Sequence, residues 1–194
     1  YIKSLGTGAL STASFRGTSA SQTRANWNGI NITPPLSGTF DFSQIPVFFT
    51  DNINLYYGSS HVKNGTGAIG GSVNLFTDTD WNRGVNGRVL AEYGSYNTYT
   101  VGGQANISGN KSASKTRLYY QHSDNDYTYL NKVLTNIPFR EKRQDAAYSQ
   151  FGIMQEGYFR VSPYTRLTAV AWYQKNHRNL PQPLGVVNRS QEDQ

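Results

Sequence analysis

The chain has 194 residues and a mass of 21.6 kDa, the length of one large domain or two small ones. Aromatic residues make up 13% and charged residues only 15%, with a mean hydropathy of −0.59, which excludes a tail kept disordered by charge repulsion. The absence of cysteine excludes a disulfide scaffold and thiolate metal sites. The net charge of +6 is scattered, with only residues 140–143 (REKR) clustered, so no nucleic-acid patch is expected.

No stretch approaches the roughly 18 apolar residues of a membrane helix, and the opening YIKSLGTGAL does not read as a signal peptide. Up to about residue 80 the chain has short apolar patches, at residues 13–16, 24–27, 45–49 and 52–57, each predicted as a short strand or a single turn. Turn formers connect them, at residues 17–21, 34–39 and 65–71. Beyond that point the pattern becomes long and alternating. In residues 85–93, Val85, Val89, Ala91 and Tyr93 share one face, and Asn86, Arg88 and Glu92 the other. In residues 98–108, Tyr99, Val101, Ala105 and Ile107 oppose Thr98, Thr100, Gln104, Asn106 and Ser108. Residues 115–123, 147–160 and 165–174 follow the same rule less cleanly. Period 2 predicts strands with one apolar and one polar face. Connections as short as residues 94–97, 109–114 and 162–163 make neighbouring strands antiparallel.

These strands are longer than the five or six residues usual in a soluble sandwich and match the tilted strands of a transmembrane barrel. Tyr and Trp gather towards the strand ends, at Tyr93, Tyr96, Tyr99, Tyr127, Tyr129, Tyr158, Tyr164, Trp172 and Tyr173, as in an interfacial aromatic girdle. A water-soluble meander with exposed tyrosines is the alternative. If the first strand rises from the periplasm, the long connection 124–145 falls outside and the short turns 109–114 and 162–163 fall inside, which fits the loop asymmetry of outer-membrane barrels.

Three motifs precede the long strands: Ser14-Phe15-Arg16-Gly17-Thr18, then Trp27-Asn28-Gly29-Ile30, then Tyr57-Gly58 leading to GTGAIGGSVNL from Gly65 to Leu75. Together they resemble the second half of the plug domain of TonB-dependent outer-membrane receptors, running into the first barrel strands. RGTSAS followed by Asp41-Phe42-Ser43-Gln44-Ile45-Pro46 is most similar to the cobalamin transporters. Asn28 departs from the Asp usual at that turn; it keeps the geometry and removes a charge. The fold class implied is mainly β, with the C-terminal part of a plug over residues 1–80 and about five antiparallel strands of an incomplete transmembrane β-barrel, with extracellular loops, over residues 81–194. Since plugged barrels of this kind need about 22 strands, the resemblance implies an internal piece of a much longer receptor.

The structural motif residues are Arg16, Gly17, Asn28, Gly29, Gly65, Gly67, Gly70 and Gly71. Gly67, Gly70 and Gly71 are expected to let backbone pass close to the barrel wall, an ordinary Gly-rich turn being the plainer reading. No Lys-Ser/Thr follows them, so a phosphate loop fails. Arg16 is expected in a carboxylate or carbonyl cage, or else solvated at the surface.

No catalytic constellation is found, and His61, His122 and His177 lack acidic neighbours at metal-ligand spacing. Asp124 and Asp126 offer hard oxygens suited to calcium, although an ordinary loop is the simpler reading. The resemblance implies no enzyme but a Gram-negative outer-membrane transporter that imports a scarce large nutrient, cobalamin before siderophore, haem or glycan. A soluble β-rich adhesin or carbohydrate-binding module is the competing class. The transporter's partners would be a TonB-type energy-transducing complex, outer-membrane lipid, a cobalamin or metal-chelate ligand and a surface lipoprotein. Ligand contacts would come from Thr33, Pro34, Pro35, Leu36, Ser37, Gly38 and Thr39, with residues 18–22 as second candidates. That stretch is uncharged, which favours a corrinoid over an anionic ferric siderophore.

Overall fold

The computed structural model describes residues 1–194 apart from 5, 7, 59–67, 133–137, 181–189 and 194, and residues 190–193 by their backbone alone. Gly65 and Gly67 of the glycine-rich motif, and His61, therefore lie outside the described residues. The chain forms two compact units, Tyr1–Asp78 and Thr79–Gln194.

In the first unit, β1 (Ile2–Ser4) and β2 (Ser11–Ala13) form a hairpin. A four-stranded sheet holds β3 (Thr23–Trp27), β4 (Ile30–Asn31), β5 (Asn52–Tyr57) and β6 (Gly71–Phe76) in the order β4-β3-β6-β5. β6 runs parallel to β3 and antiparallel to β5, and is buried along almost its whole length. Alternation gives β6 two different faces. Val73 and Leu75 lie on one, beside Ala25 and Trp27 of β3. Ser72 and Asn74 lie on the other, where Asn26 Nδ2 donates to Asn74 Oδ1 (2.9 Å) and Asn74 Nδ2 to Ser72 Oγ (2.9 Å). These bonds make the buried polar face tolerable, because an unpaired buried amide costs about 1–3 kcal/mol.

Of the four short patches, residues 24–27 and 52–57 are strands and the other two are turns. β2 stops at Ala13, and Arg16 and Gly17 take left-handed φ values of 49° and 77°. Val47–Phe49 is a 3₁₀ turn, started by Pro46 at φ −59° and closed by Phe49 N–H donating to the Pro46 carbonyl at 2.9 Å.

The second unit is an up-and-down antiparallel sheet. β7 (Gly84–Gly94), β8 (Thr98–Ser108), β9 (Ser112–Ser123), β12 (Tyr148–Ser162), β13 (Thr165–Leu180) and β14 (Ser190–Asp193) follow one another in space as in sequence. The connection between β9 and β12 carries a hairpin of its own, β10 (Thr128–Asn131) with β11 (Phe139–Lys142). β12 and β13 continue past the expected ends, pairing as far as Tyr148 with Arg178, because the ladder carries on through the polar run Lys175-Asn176-His177.

Burial on this sheet is inverted relative to a water-soluble protein. Val101, Ile107, Leu118, Phe151, Ile153, Phe159 and Leu167 are exposed, and cross-strand register puts all seven on one face. The opposite face buries Thr100, Asn106, Lys115, Arg117, Gln150 and Glu156. Arg117 Nε lies 3.4 Å from Glu156 Oε2, both side chains wholly inaccessible, and Tyr158 Oη donates to Glu156 Oε1 at 3.1 Å. An apolar face turned outward and ion pairs turned inward is the pattern of a lipid-embedded barrel wall, and it removes the soluble meander from consideration. Tyr93, Tyr99, Tyr120 and Tyr173 stand towards one end of the apolar face, with Tyr99 and Tyr120 rings 5.9 Å apart. Phe159 and the fully exposed Tyr164 mark the other end. No helix among the described residues is long and apolar enough to cross a membrane.

Candidate functional site

The first unit's sheet has two distinct ends. At one, Trp27 pairs with Ile30 across Asn28-Gly29, whose φ values of 48° and 84° make the two-residue turn that suits a right-twisted hairpin. Asn28 N–H donates to the Leu75 carbonyl, Asn28 Nδ2 to Thr77 Oγ1 (2.8 Å), and Thr77 N–H to Asn28 Oδ1 (2.9 Å). A carboxylate at this turn would keep the acceptor and lose the Nδ2 donor. The chain passes from this end into the second unit.

The other end gathers the candidate ligand residues. Thr23, Gly71 and Tyr57 lie in register there, so residues 18–22, which lead into β3, and Gly70, which leads into β6, are neighbours. Residues 18–22 form a closed turn. Thr18 Oγ1 donates to the Phe15 carbonyl (2.6 Å), Ser19 N–H to Gln22 Oε1 (3.0 Å), and Gln22 N–H to the Ser19 carbonyl (3.1 Å).

From β4 the chain returns along β3, with Ile32 N–H on the Ala25 carbonyl and Ala25 N–H on Thr33 Oγ1 (both 2.9 Å), and so reaches the same end. Thr33 is buried. Pro34, Pro35, Leu36 and Ser37 are exposed in a turn closed by Gly38 N–H donating to the Pro34 carbonyl (3.0 Å). Ser37 Oγ donates to the Thr39 carbonyl (3.0 Å), and a Cβ on Gly38 would sit 3.9 Å from Ser21 Cβ. The two candidate segments are therefore side by side.

Phe40 anchors the far side of the turn, buried and edge-on to Phe42 at 4.9 Å. Asp41 Oδ1 accepts from Ser11 N–H (2.8 Å), Ser43 N–H (3.0 Å) and Ser43 Oγ (2.7 Å), which ties the DFSQIP run to β2. The surface so built is uncharged, preformed and apolar at its tip, where Leu36 is fully exposed. Leu36 stands out only in the structure, since a single leucine between Pro35 and Ser37 carries no periodic signal.

Gly70 and Gly71 allow a close approach inside the first unit. A Cβ on Gly70 would collide with Thr18 Oγ1, and one on Gly71, at φ +149°, with the Tyr56 carbonyl and, at 2.8 Å, with Phe15 Cδ2. Their backbones are held by Gly70 N–H donating to the Gln22 carbonyl (3.0 Å) and by the ladder of β6. Arg16, within its unit, is not caged by a carboxylate. Its left-handed backbone turns it into an exposed position with its guanidinium 6.0 Å from the Tyr57 ring, while Phe15 is buried edge-on to the same ring at 5.2 Å.

Asp124 and Asp126, the calcium candidates, each already have a side-chain partner: Asp124 Oδ1 lies 3.0 Å from His122 Nε2, and Asp126 Oδ2 accepts from Lys142 Nζ at 2.9 Å. The hydrogen bond from His122, then that from Asn97, lowers the Asp124 pKa, and Asp126 raises that of Lys142. No group of three or more potential metal ligands exists among the described residues.

Residues 2–72 match the TonB-dependent receptor plug domain family. With this match over the first unit and an inside-out antiparallel sheet in the second, the chain is similar to the TonB-dependent receptors, outer-membrane proteins of Gram-negative bacteria. It is similar to the vitamin B12 transporter BtuB of Vibrio cholerae, 36% identical over 72 residues, 37% of this chain and 12% of the relative. The same transporter of Photobacterium profundum is 34% identical over 102 residues, 53% of this chain and 17% of the relative. Among solved structures, the copper transporter OprC superposes with a TM-score of 0.70 at 15% identity, over 91% of this chain and 26% of its own. The siderophore receptor PiuA from Acinetobacter baumannii gives 0.64 at 19% identity, over 91% of this chain and 22% of its own. The matched regions thus span well under a third of these proteins, and the two solved structures establish a shared fold.

Proposed function

We propose that residues 1–80 are the ligand-gating part of a plug and residues 81–194 the first barrel strands of a receptor that imports a cobalamin-type corrinoid. The observation that carries this reading is the preformed, uncharged turn of Pro34, Pro35, Leu36, Ser37 and Gly38 set against residues 18–22. Thr33 and Thr39 would hold that turn from either side. A bulky ligand with amide-bearing edges binds such a surface by shape and hydrogen bonding, whereas an anionic ferric siderophore calls for cations. The likeness to the B12 transporters points the same way.

The work is transport without covalent chemistry. The ligand seats on the plug turns and barrel loops, a TonB-type energy-transducing complex pulls on the plug, and the ligand passes as the plug rearranges. A surface lipoprotein would be a further partner. Deleting the gene in a corrinoid auxotroph and supplying cyanocobalamin, ferric siderophore, haem or glycan in turn tests the reading. Loss of growth on limiting cyanocobalamin alone is expected. Loss on a siderophore, haem or glycan with corrinoid uptake intact would replace the ligand and keep the transporter.

A further inference from the structure

The outward face of the barrel sheet carries a depression of about 780 Å³ towards the end where the turns 109–111 and 163–164 lie. Its floor is Ser112, Ser114, Gln155 and Gly157, and Ala169 and Ala171 flank it. The Phe159 ring runs along its rim, close enough that a Cβ on Gly157 would meet Phe159 Cε2 at 3.4 Å. Thr116 Oγ1 donates to Gln155 Oε1 (2.6 Å), and Gln155 Nε2 donates to Ser114 Oγ (2.9 Å) and to the Glu156 carbonyl (3.3 Å). Both amide hydrogens are thereby used, which lets Gln155 stand in an apolar band. The hydroxyl hydrogens of Ser112 and Ser114 meet no acceptor among the described residues.

Two cations stand at its open end. Lys111 is exposed in the turn beside Ser112. Arg160, next to Phe159, is exposed too and is fixed in place. Its N–H donates to the Lys111 carbonyl (2.8 Å), its Nη1 donates to the Asn110 carbonyl (3.4 Å), and its guanidinium lies 4.1 Å from the Trp81 ring. Neither cation meets a carboxylate among the described residues. From Lys111 to Ser114 is three residues, about 7 Å of depth on a strand tilted about 45°. One headgroup layer of a bilayer is about 5–7 Å thick. The cations therefore stand at the level of lipid phosphates and Ser114 at that of the glycerol esters. Gln155 and Ala171, paired one step deeper than Gly157 and Ala169, lie in hydrocarbon.

We propose that this depression binds an anionic glycerophospholipid of the periplasmic leaflet, the short turns lying on that side as in outer-membrane barrels. The phosphate sits between Lys111 and Arg160, the Ser112 and Ser114 hydroxyls donate to the ester carbonyls, and one acyl chain runs over Gly157 past Ala169 and Ala171. Charge complementarity selects the headgroup. Two uncompensated cations favour a net anionic lipid of the phosphatidylglycerol class, whereas the ammonium of a phosphatidylethanolamine brings them a like charge. Hydrocarbon alone leaves both hydroxyl hydrogens unpaired, and the esters supply the acceptors. The site lies wholly in the second unit and is independent of the nutrient imported.

Native mass spectrometry of the full-length receptor, titrated with dioleoyl-phosphatidylglycerol or with the matching phosphatidylethanolamine, tests this. A single phosphatidylglycerol should bind in preference to phosphatidylethanolamine. Lys111→Gln with Arg160→Gln should weaken it at least about tenfold, the loss expected when two interfacial cations are removed. Lys111→Gln alone should move the affinity in the same direction. Ala171→Trp fills the depression and keeps both cations, and it should weaken binding as well. Lys132→Gln, which removes a cation from the long connection just after β10, should leave binding unchanged. Retention of the heat-dependent gel shift would show that each variant remains a folded barrel. Equal binding of the two lipids, which would mean unselective annular lipid, overturns the proposal. So does a phosphatidylglycerol affinity unmoved by Lys111→Gln with Arg160→Gln, or by Ala171→Trp.

Discussion

Asn28 and Thr77, separated by 49 residues in the chain, exchange two side-chain hydrogen bonds that close the sheet of the first unit where the chain leaves it. Asn28 also supplies the left-handed residue of the turn, at φ 48°. Asn28→Ala should therefore cost about 2–4 kcal/mol of local stability, from both lost bonds and the unfavourable φ. Asn28→Asp should cost less, since Oδ1 still accepts from Thr77 N–H and the Thr77 hydroxyl can turn to donate. Amide exchange at Thr77 measures the order: protection should fall furthest for Ala, and equal protection in both variants would refute the pairing.

Gly71 admits no side chain. Its φ of +149° and the approach of the Tyr56 carbonyl and Phe15 make Gly71→Val a strained change, destabilising by at least about 3 kcal/mol. Limited proteolysis should cut the first unit at much lower protease in this variant. Gly17→Ala, where a Cβ meets nothing within 4 Å, should suffer only the cost of its φ of +77°.

At the candidate ligand surface, Leu36→Asp removes the exposed apolar tip and adds a charge without touching a packed neighbour. Corrinoid affinity should drop at least tenfold while the gel shift of the folded barrel is unchanged. Undiminished binding, measured by titration with cyanocobalamin, would take this turn out of the site.

Glu156 and Arg117 form a fully buried pair on the polar face of the sheet. Removing Glu156 takes a carboxylate away from buried Arg117, so Glu156→Ala should destabilise by about 3–5 kcal/mol, and Glu156→Met with Arg117→Met by less. Urea unfolding in lipid vesicles separates these outcomes, and a double variant worse than the single one would contradict the account.

Asp124 lies outside the membrane band, its carboxyl held below the ordinary 3.8 by the hydrogen bond from His122 and then that from Asn97. A carboxylate with a lowered folded-state pKa contributes its contact above its unfolded value and loses it as pH falls through the folded one. The 122–124 contact should thus persist down to pH 3.8 and fail only below it. Side-chain carbon shifts of Asp124 against pH check this, and a midpoint at or above 3.8 would refute it. Calcium titration should leave those shifts unmoved as long as His122 and Lys142 hold the two carboxylates.

The strand faces were legible in the sequence because alternation is a local property: the neighbours of Val101 and Ile107 alone place them opposite Thr100 and Asn106. The motif around Gly70 and Gly71 and the Asn28-Gly29 turn were likewise readable from a few adjacent residues. The hairpin of β10 and β11 was not, since four-residue strands inside a polar connection leave no periodic trace. Pro46 left a turn and a strand equally open until Phe49 was seen bonding back to it.

By itself the sequence determined that the chain is mainly β, that five long strands follow a glycine-punctuated segment, and which side chains share a face. Which face meets lipid, the parallel pairing of β3 with β6, the meeting of residues 18–22 with the turn at Leu36, and the outward polar cluster at Gln155 were decided only by tertiary structure. The physical reason is common to all four. Each depends on the pairing or burial of segments remote in the chain, and a strand's own alternation is the same whether water or hydrocarbon lies beyond it.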